Sequence, residues 1–545
     1  MPVSRSENEA GFTMIMTTIG LSLIAVLVLA AVTAVRGDIG LTGHDYMQKR
    51  AYEAAKAGIN EYAYNLHIDN GYWAKCADKA TKPHALNPPG KTDNRRPVPG
   101  GGGATYAIEI LPATGQKECD SSNISTATIT MLESLGEMKG SFRIRSTGFA
   151  GKAQASVTAT FKPASFLDYV YFTQLETSDP NTYGDKETIK GAAIQCSKTL
   201  AEKRNDEVIP YSNDPDTLQN DSEYCRVISF VQGDFLNGPV HTNDAFVICK
   251  EPVFGRGPAD SIEVSSPPLG WYETEDVPNS FSGCNGKPVI KGTYRTNAPV
   301  LVPPTTNAEL EKIVEPSFHY QGQVHICLSG ETMTVNSGVS CTAEGTEVYK
   351  GSFPENGVVY IKSISCSGAY TPFAVTYPAS SECGNVYVHG SYSGQLTIAA
   401  SNDIILDGDL VSDGDEAILG LIANNFIRIY HPMTITVEKD AEGKVIKETV
   451  NCANAEDVVK DIDVHAALLA INHSFIVDNY TCGSSLGTLT VKGAISQKYR
   501  GAVGTTGGTG YLKSYNYDDR LHTITPPSFI EPVKSDWVIG RETVG

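Results

Sequence analysis

Between Phe12 and Val35 the chain runs for 24 residues without a charged side chain. As a helix rising 1.5 Å per residue, this run would be about 36 Å long, enough to cross the ~30 Å hydrocarbon layer of a bilayer. The pattern does not stop there. In DYMQKRAYEAAKAGINEYAYNL, the residues Tyr52, Ala55, Ile59, Tyr62, Ala63 and Leu66 recur at helical spacing on one stripe. Asp69, Asn70 and Gly71 supply a stop, because Asn and Gly tolerate the left-handed conformation that ends helices. The expectation is a transmembrane helix from Phe12 to Val35 that continues as an amphipathic helix to residue 70. Three glycines between Arg36 and Gly43 would each cost about 1 kcal/mol relative to alanine, so a bend or melt is expected there. The RGD triplet at Arg36 to Asp38 falls inside this stretch and reads as chance.

The segment EAGFTMIM, with Gly11 and Phe12 before the apolar run, resembles the processing site of type IV prepilins. That resemblance implies a leader of residues 1–11, cut between Gly11 and Phe12 by a prepilin peptidase. QKRAYEAAKAGINEY resembles the stretch after the membrane helix in PilX-type minor pilins and related minor pseudopilins. The family likeness further implies that the apolar half of the helix packs against other pilins or pseudopilins and that the amphipathic half lies on a small sheet. One residue departs from the pattern. Pilins carry a glutamate at the fifth mature position, where it is thought to neutralise a neighbour's terminal ammonium, and that position here is Met16. Some minor pseudopilins at filament tips also lack it, so the departure implies a tip or priming subunit. The competing reading is a secretory signal peptide cleaved after Val32-Thr33-Ala34, but its apolar core should span only about 7–15 residues.

The length of 545 residues allows two to four domains, each with its own core. A formal net charge of −19 argues against nucleic acid as a partner, since phosphate recognition needs a basic surface. Cysteines stand at Cys76, Cys119, Cys196, Cys225, Cys249, Cys284, Cys327, Cys341, Cys366, Cys383, Cys452 and Cys482. No CxxC pair occurs among them, so disulfides are favoured over a metal ribbon, and joining neighbours in order is the most economical pairing. Abundant disulfides place the region beyond Gly71 outside the cytosol. The expected location is therefore the cell membrane, crossed once, with the N-terminus cytoplasmic and the bulk outside, at a pilus tip or on the cell surface. Arg36, Lys49 and Arg50 beyond the apolar run lean against that orientation by the positive-inside rule, and the cysteines overrule them.

Further along, a Pro/Gly-rich loop from Lys82 to Gly103 precedes strands expected at Ala104, ATITML from Ala127, Ser141 to Ala150 and Gln154 to Lys162. The last two form a hairpin around Gly151-Lys152. Residues 71–163 are thus expected to be a pilin-like antiparallel head. Beyond residue 164 the texture changes, with a polar insertion from Gly191 to Glu223. Short apolar runs then recur between Asn385 and Tyr430, separated by Gly, Asn or Asp, and HAALLAINHSFIVDN and TLTVKGAISQKYR continue the rhythm. That spacing suits the coils of a parallel β-helix, and runs such as ILGLIA, which do not alternate, favour a solenoid over a β-sandwich. The expected class is α+β and mainly β: a long N-terminal transmembrane helix, a pilin-like sheet, and a β-solenoid with loop insertions over 164–545.

The chemistry is sparse. LDGDLVSDGDE brings Asp407, Asp409, Asp413, Asp415 and Glu416 close together in sequence, and calcium is the ion such oxygens could hold. The spacing is not that of an EF-hand, and solvated acidic turns explain it as well. A polysaccharide-cleaving β-helix would use paired carboxylates, for which Asp234, Asp244 and the 407–415 group are candidates, with His241 or His389 assisting. No recognisable constellation joins them, and GxSxG, HExxH and phosphate-cradling loops are missing from the sequence. The expectation is a non-enzymatic assembly or adhesion protein, with a surface glycan or protein as a further partner. An extracellular polysaccharide-active enzyme and a secreted β-helix are the alternatives.

Overall fold

The computed structural model describes residues 10–69, 71–78, 80–133, 140–182, 193, 196–197, 199, 228–266, 271–273, 286–337, 340–341, 346–366, 381–439, 443–452, 459–505, 508–533 and 537–544. The chain divides into two compact units, Met1–Pro163 with Trp537–Gly545, and Ala164–Asp536. The sequence reading ran its second domain to residue 545, whereas the final strand, Trp537–Val544, joins the first unit.

In the first unit, helix α1 (Ala10–Ile68) is continuous through the three glycines where a break was expected. Its second half buries Ala51, Ala54, Ala55, Ile59, Tyr62 and Leu66, the stripe that 3.6-residue periodicity aligns. The stripe lies on a five-stranded sheet of β1 (Arg96–Pro97), β2 (Thr105–Leu111), β3 (Phe142–Ala150), β4 (Ala153–Pro163) and Trp537–Val544, in that order and antiparallel throughout. Small residues set the spacing. A Cβ on Gly148 would lie 2.9 Å from that of Ala54 and would collide with the backbone of Ala51 and Ala55. One on Gly58 would come within 2.7 Å of the Tyr106 ring. Glu61 on α1 accepts hydrogen bonds from the buried Arg96 and from the Tyr106 hydroxyl, fastening helix to sheet. Phe142 stacks on Phe161 at 5.3 Å and meets Trp537 edge-on at 4.9 Å, so the last strand helps to close this core.

Two local expectations are corrected here. ATITML, read as a strand from its β-branched residues, belongs to helix α2 (Ile124–Met131). Asn123 caps it, accepting from the Thr126 N–H at 3.0 Å while Thr126 Oγ1 accepts from the Asn123 N–H, and Ala127 and Met131, four apart, turn into the core. The capping box and the one-sided burial outweigh β propensity.

The larger correction concerns the membrane. Among the described residues no helix is long and apolar enough to cross one. The apolar side chains described in the first half of α1 span residues 14–30, about 25 Å of helix against a ~30 Å hydrocarbon layer. The expected transmembrane helix from Phe12 to Val35 is withdrawn, and with it the single-pass membrane location. The chain is mostly β-structure, with a large multi-sheet β unit.

That second unit is built by stacking. Val324–Gly330, Val386–Tyr392, Ile404–Ser412, Ile427–Ile429 and Phe475–Val477 pair in parallel, each on the next. A second series runs Val358–Lys362, Gln395–Ala400, Ile418–Ala423, Asp463–Ala470 and Ser485–Arg500. Parallel register puts like positions over one another, so apolar residues form columns. Val359, Ile398, Leu421, Leu468 and Ile495 make one such buried column. At the corners Asn385 accepts from Asn402, and Asn402 from Asn425, at 2.7 and 2.6 Å, so polar turn residues satisfy one another along the stack.

The spatial order departs from the sequence order at one seam. Strand β5 (Tyr171–Ser178), the first of this unit, pairs with Ser485–Arg500 and on its other side with Val240–Thr242. The apolar column continues across it through Tyr171, Val240 and Ile262. Late coils are thus sealed onto early ones. Buried Arg500 donates to buried Glu176 at 3.2 Å across this seam, and its guanidinium lies 3.3 Å from the Phe230 ring centre. Burial pushes the Glu176 carboxyl up, and Arg500 offsets this only in part. Replacing Arg500 by Met should leave Glu176 buried without its counter-charge and cost about 3–5 kcal/mol in urea unfolding. Adding Glu176→Leu should restore most of that loss. An Arg500→Met protein as stable as the parent would remove the seam from this account.

Candidate functional site

The two halves of α1 have opposite environments. In the second half the apolar stripe is buried on the sheet, whereas in the first half Met14, Ile15, Met16, Ile19, Leu21, Leu23, Ile24, Val26, Leu27, Val28 and Leu29 are each 52% to 70% exposed. The few hydroxyl side chains there are exposed but bond back to their own helix. Thr17 and Thr18 donate to the Met14 carbonyl at 3.0 and 2.9 Å, and Ser22 donates to the Thr18 carbonyl at 2.7 Å. Their hydrogen-bonding capacity is used within the helix, so this part of α1 presents an apolar surface with no charge of its own. Apolar area of that extent is costly in water and marks a contact surface. Met16 stands within it where the family resemblance expects a glutamate. Gly11 and Phe12 lie in the first turn of α1.

The acidic candidates are dispersed. Asp407 accepts from His389 Nδ1 at 2.8 Å, and Asp409 accepts from the Asp463 N–H at 2.9 Å. Asp413, Asp415 and Glu416 are exposed, and Arg520 donates to the Gly414 and Asp415 carbonyls at 3.0 and 3.1 Å. Asp234 accepts from Lys513 at 2.8 Å, and Asp244 accepts from the Glu176 N–H at 3.1 Å. His241, read as a turn residue, lies in the strand Val240–Thr242, with Nδ1 3.1 Å from Glu263 and Nε2 3.1 Å from Asn243. Of the carboxylates named for glycan cleavage, Asp234, Asp244, Asp407 and Asp409 therefore hold partners within the fold, while Asp413 and Asp415 are exposed.

Disulfides join Cys76 to Cys119, Cys327 to Cys341, Cys366 to Cys383 and Cys452 to Cys482. Cys196 and Cys249 are also disulfide-bonded, and Cys225 and Cys284 lie outside the described residues, as does nearly all of the Gly191 to Glu223 insertion. Such bonds belong to an oxidising environment. What the sequence reading missed is a juxtaposition. Cys327 and His389 are register partners on adjacent parallel strands, and His389 leads on to Asp407 one coil further. The three are 62 and 18 residues apart in sequence, and only the stacking register, which no local pattern displays, brings them together.

No protein-family model matches the chain, and no curated protein matches it. Among solved structures, the competence-associated pilin ComZ from Thermus thermophilus aligns over 92% of this chain and 97% of that chain, at 11% identity and a TM-score of 0.26. A likeness of that size carries no argument about this chain.

The dispersal of the acidic side chains has a direct test. Neither millimolar calcium nor a chelator should move the thermal unfolding midpoint of the whole chain. A rise of several degrees with calcium, lost in Asp407→Asn or Asp409→Asn, would restore the calcium site.

Proposed function

We propose that this chain is a pilin-like assembly subunit whose α1 packs, through its exposed first half, against the helices of neighbouring filament subunits. One observation supports the reading above the others: a single continuous helix commits residues 51–66 to its own sheet and leaves the apolar surface of residues 14–29 uncovered. Helices with such surfaces associate side by side, burying apolar area at about 25 cal/mol per Å². The prepilin-like EAGFTMIM at the head of this helix agrees with the same role, with a prepilin peptidase cutting between Gly11 and Phe12.

Met16 narrows the role. A subunit surrounded by others would place its new terminal ammonium in an apolar core, where an unpaired charge costs several kcal/mol. Without the usual glutamate, this subunit suits an end position at low copy. The β-rich second unit is read as a non-enzymatic contact surface for a glycan or protein. In support, Asp409, Asp234 and Asp244 hold partners within the fold.

Two measurements test the proposal. Intact mass of the mature protein should place its first residue at Phe12, and Gly11→Glu should leave the precursor uncut; a mature start near Val35 would favour the signal-peptide reading. Leu23→Asp, placed on the exposed face, should abolish recovery of the chain with filaments while leaving its unfolding free energy within about 0.5 kcal/mol of the parent, as expected for a surface change. Undiminished recovery would take α1 out of the interface.

A further inference from the structure

The disulfide between Cys327 and Cys341 carries a neighbour that its chemistry does not require. Cys327 Sγ lies 3.0 Å from His389 Nε2, and His389 Nδ1 lies 2.8 Å from Asp407 Oδ1. The row crosses three stacked strands, Val324–Gly330, Val386–Tyr392 and Ile404–Ser412. Cys327 and His389 are direct register partners, and the irregularity between Val388 and Gly390 sets His389 opposite Asp407 to Asp409 within the strand Ile404–Ser412. Gly408 leaves room for the ring, since a Cβ there would be 3.0 Å from the His389 Cβ. Among the described residues, Cys327, Cys341 and His389 form a cluster whose ligand atoms all lie within 4.8 Å of one another. All three are half-buried, so a solute can reach them.

Asp407 orients the ring. Its carboxylate accepts a hydrogen bond from Nδ1–H, which aims the other nitrogen at sulfur, as carboxylates behind metal-bound histidines do. The same hydrogen bond holds the His389 imidazole above its usual range, so the imidazolium, with a donor on Nε2, persists to higher pH than in a free imidazole. Two further titrating groups face this carboxylate: His325, 4.0 Å from Asp407 Oδ2, and Tyr387, stacked on His325 at 4.4 Å and raised chiefly by burial. Burial pushes His325 down, the opposite direction to His389, so of the two rings His389 holds its proton to higher pH. A disulfide sulfur gains little from a cation beside it. A departing thiolate gains much, because exchange is faster when the leaving thiol has a lower pKa.

We propose that Cys327–Cys341 is a site of thiol–disulfide exchange, at which an incoming cysteine-type thiolate attacks Cys341 Sγ and His389 receives the departing Cys327 thiolate. The incoming sulfur bonds to Cys341 Sγ as the Cys341–Cys327 bond breaks. The bonding pair leaves on Cys327 Sγ and faces the Nε2 proton of His389, which it can accept. The products are a mixed disulfide on Cys341 and a thiol or thiolate on Cys327, so no external oxidant is consumed. Asp407 is a positioning residue, acting through His389. Attack in the opposite sense would expel Cys341 without that donor, so the geometry also fixes which sulfur carries the adduct.

The test uses the full chain, reduced glutathione as the thiol, acid quenching, alkylation and peptide mass mapping. The expected result is that glutathione appears first on Cys341, with Cys327 alkylated, on the order of tenfold faster than exchange at the 76–119, 366–383 and 452–482 pairs. His389→Gln should slow the reaction at Cys341 by a similar factor and leave the other pairs unchanged. In Asp407→Asn the His389 pKa falls, so the pH above which the advantage fades should move down. A merely structural role for Asp407 would alter stability without moving that profile. Exchange no faster than at the other pairs, adducts chiefly on Cys327, or a His389→Gln protein reacting like the parent would each overturn the proposal.

Discussion

Parallel in-register pairing of short strands is the interaction on which most of this chain depends. Each coil of the second unit is too short to bury its own apolar residues, and only stacking removes them from water. Register then decides everything that follows along a column. The buried run from Val359 through Ile398, Leu421, Leu468 and Ile495 is one product, and the asparagines at 385, 402 and 425 are another. The row of Cys327, His389 and Asp407 is a third, made by the same geometry from residues of reactive type. Closure of the stack adds a constraint of a different kind. Because β5 lies beside Ser485–Arg500, the late coils are needed to cover the early ones, and the buried Arg500–Glu176 pair makes that contact specific.

The first unit solves a different problem with close approach. Gly148 and Gly58 let α1 sit so near the sheet that side chains at those two points are excluded, and Glu61 fixes the seating through Arg96 and Tyr106. The helix is therefore committed over its second half only. Its first half has the same helical backbone but no sheet beneath it, and hydroxyls that might have made it polar are tied to the carbonyls of the preceding turn. The contrast within one element is the physical basis for reading the exposed half as a surface awaiting other helices.

Much of this was legible in the sequence, for identifiable reasons. The stripe Ala55, Ile59, Tyr62 and Leu66 follows helical periodicity and is buried as that period requires. The turn at Gly151-Lys152 joins β3 to β4 with Ala150 opposite Ala153. Other features were hidden. Apolar length alone suggested a membrane span at Phe12 to Val35, and no described helix meets that requirement. ATITML carries β-branched residues, yet its Asn123 cap and four-residue spacing of buried side chains make it helical. The return of Trp537–Val544 to the first sheet and the insertion of β5 beside Ser485–Arg500 join segments hundreds of residues apart. Non-local pairings of this kind leave no periodic trace. The acidic run from Asp407 to Asp415 resembles a ligand set because it is dense in sequence, while in the fold Asp407 and Asp409 go to His389 and the Asp463 N–H, and Asp413 and Asp415 are exposed.

The central claim is that one helix is buried by its own sheet at one end and by neighbouring subunits at the other. Met14 and Met16, 70% and 56% exposed, report on the second end directly. Brief oxidative footprinting, read by mass spectrometry as methionine sulfoxide, can be applied to the isolated chain and to the chain recovered with filaments. The account predicts rapid oxidation of both methionines in the isolated chain and strong protection in the assembled state, with Met131, buried in the first unit's core, protected in both. Equal oxidation of Met14 and Met16 in the two states would contradict it.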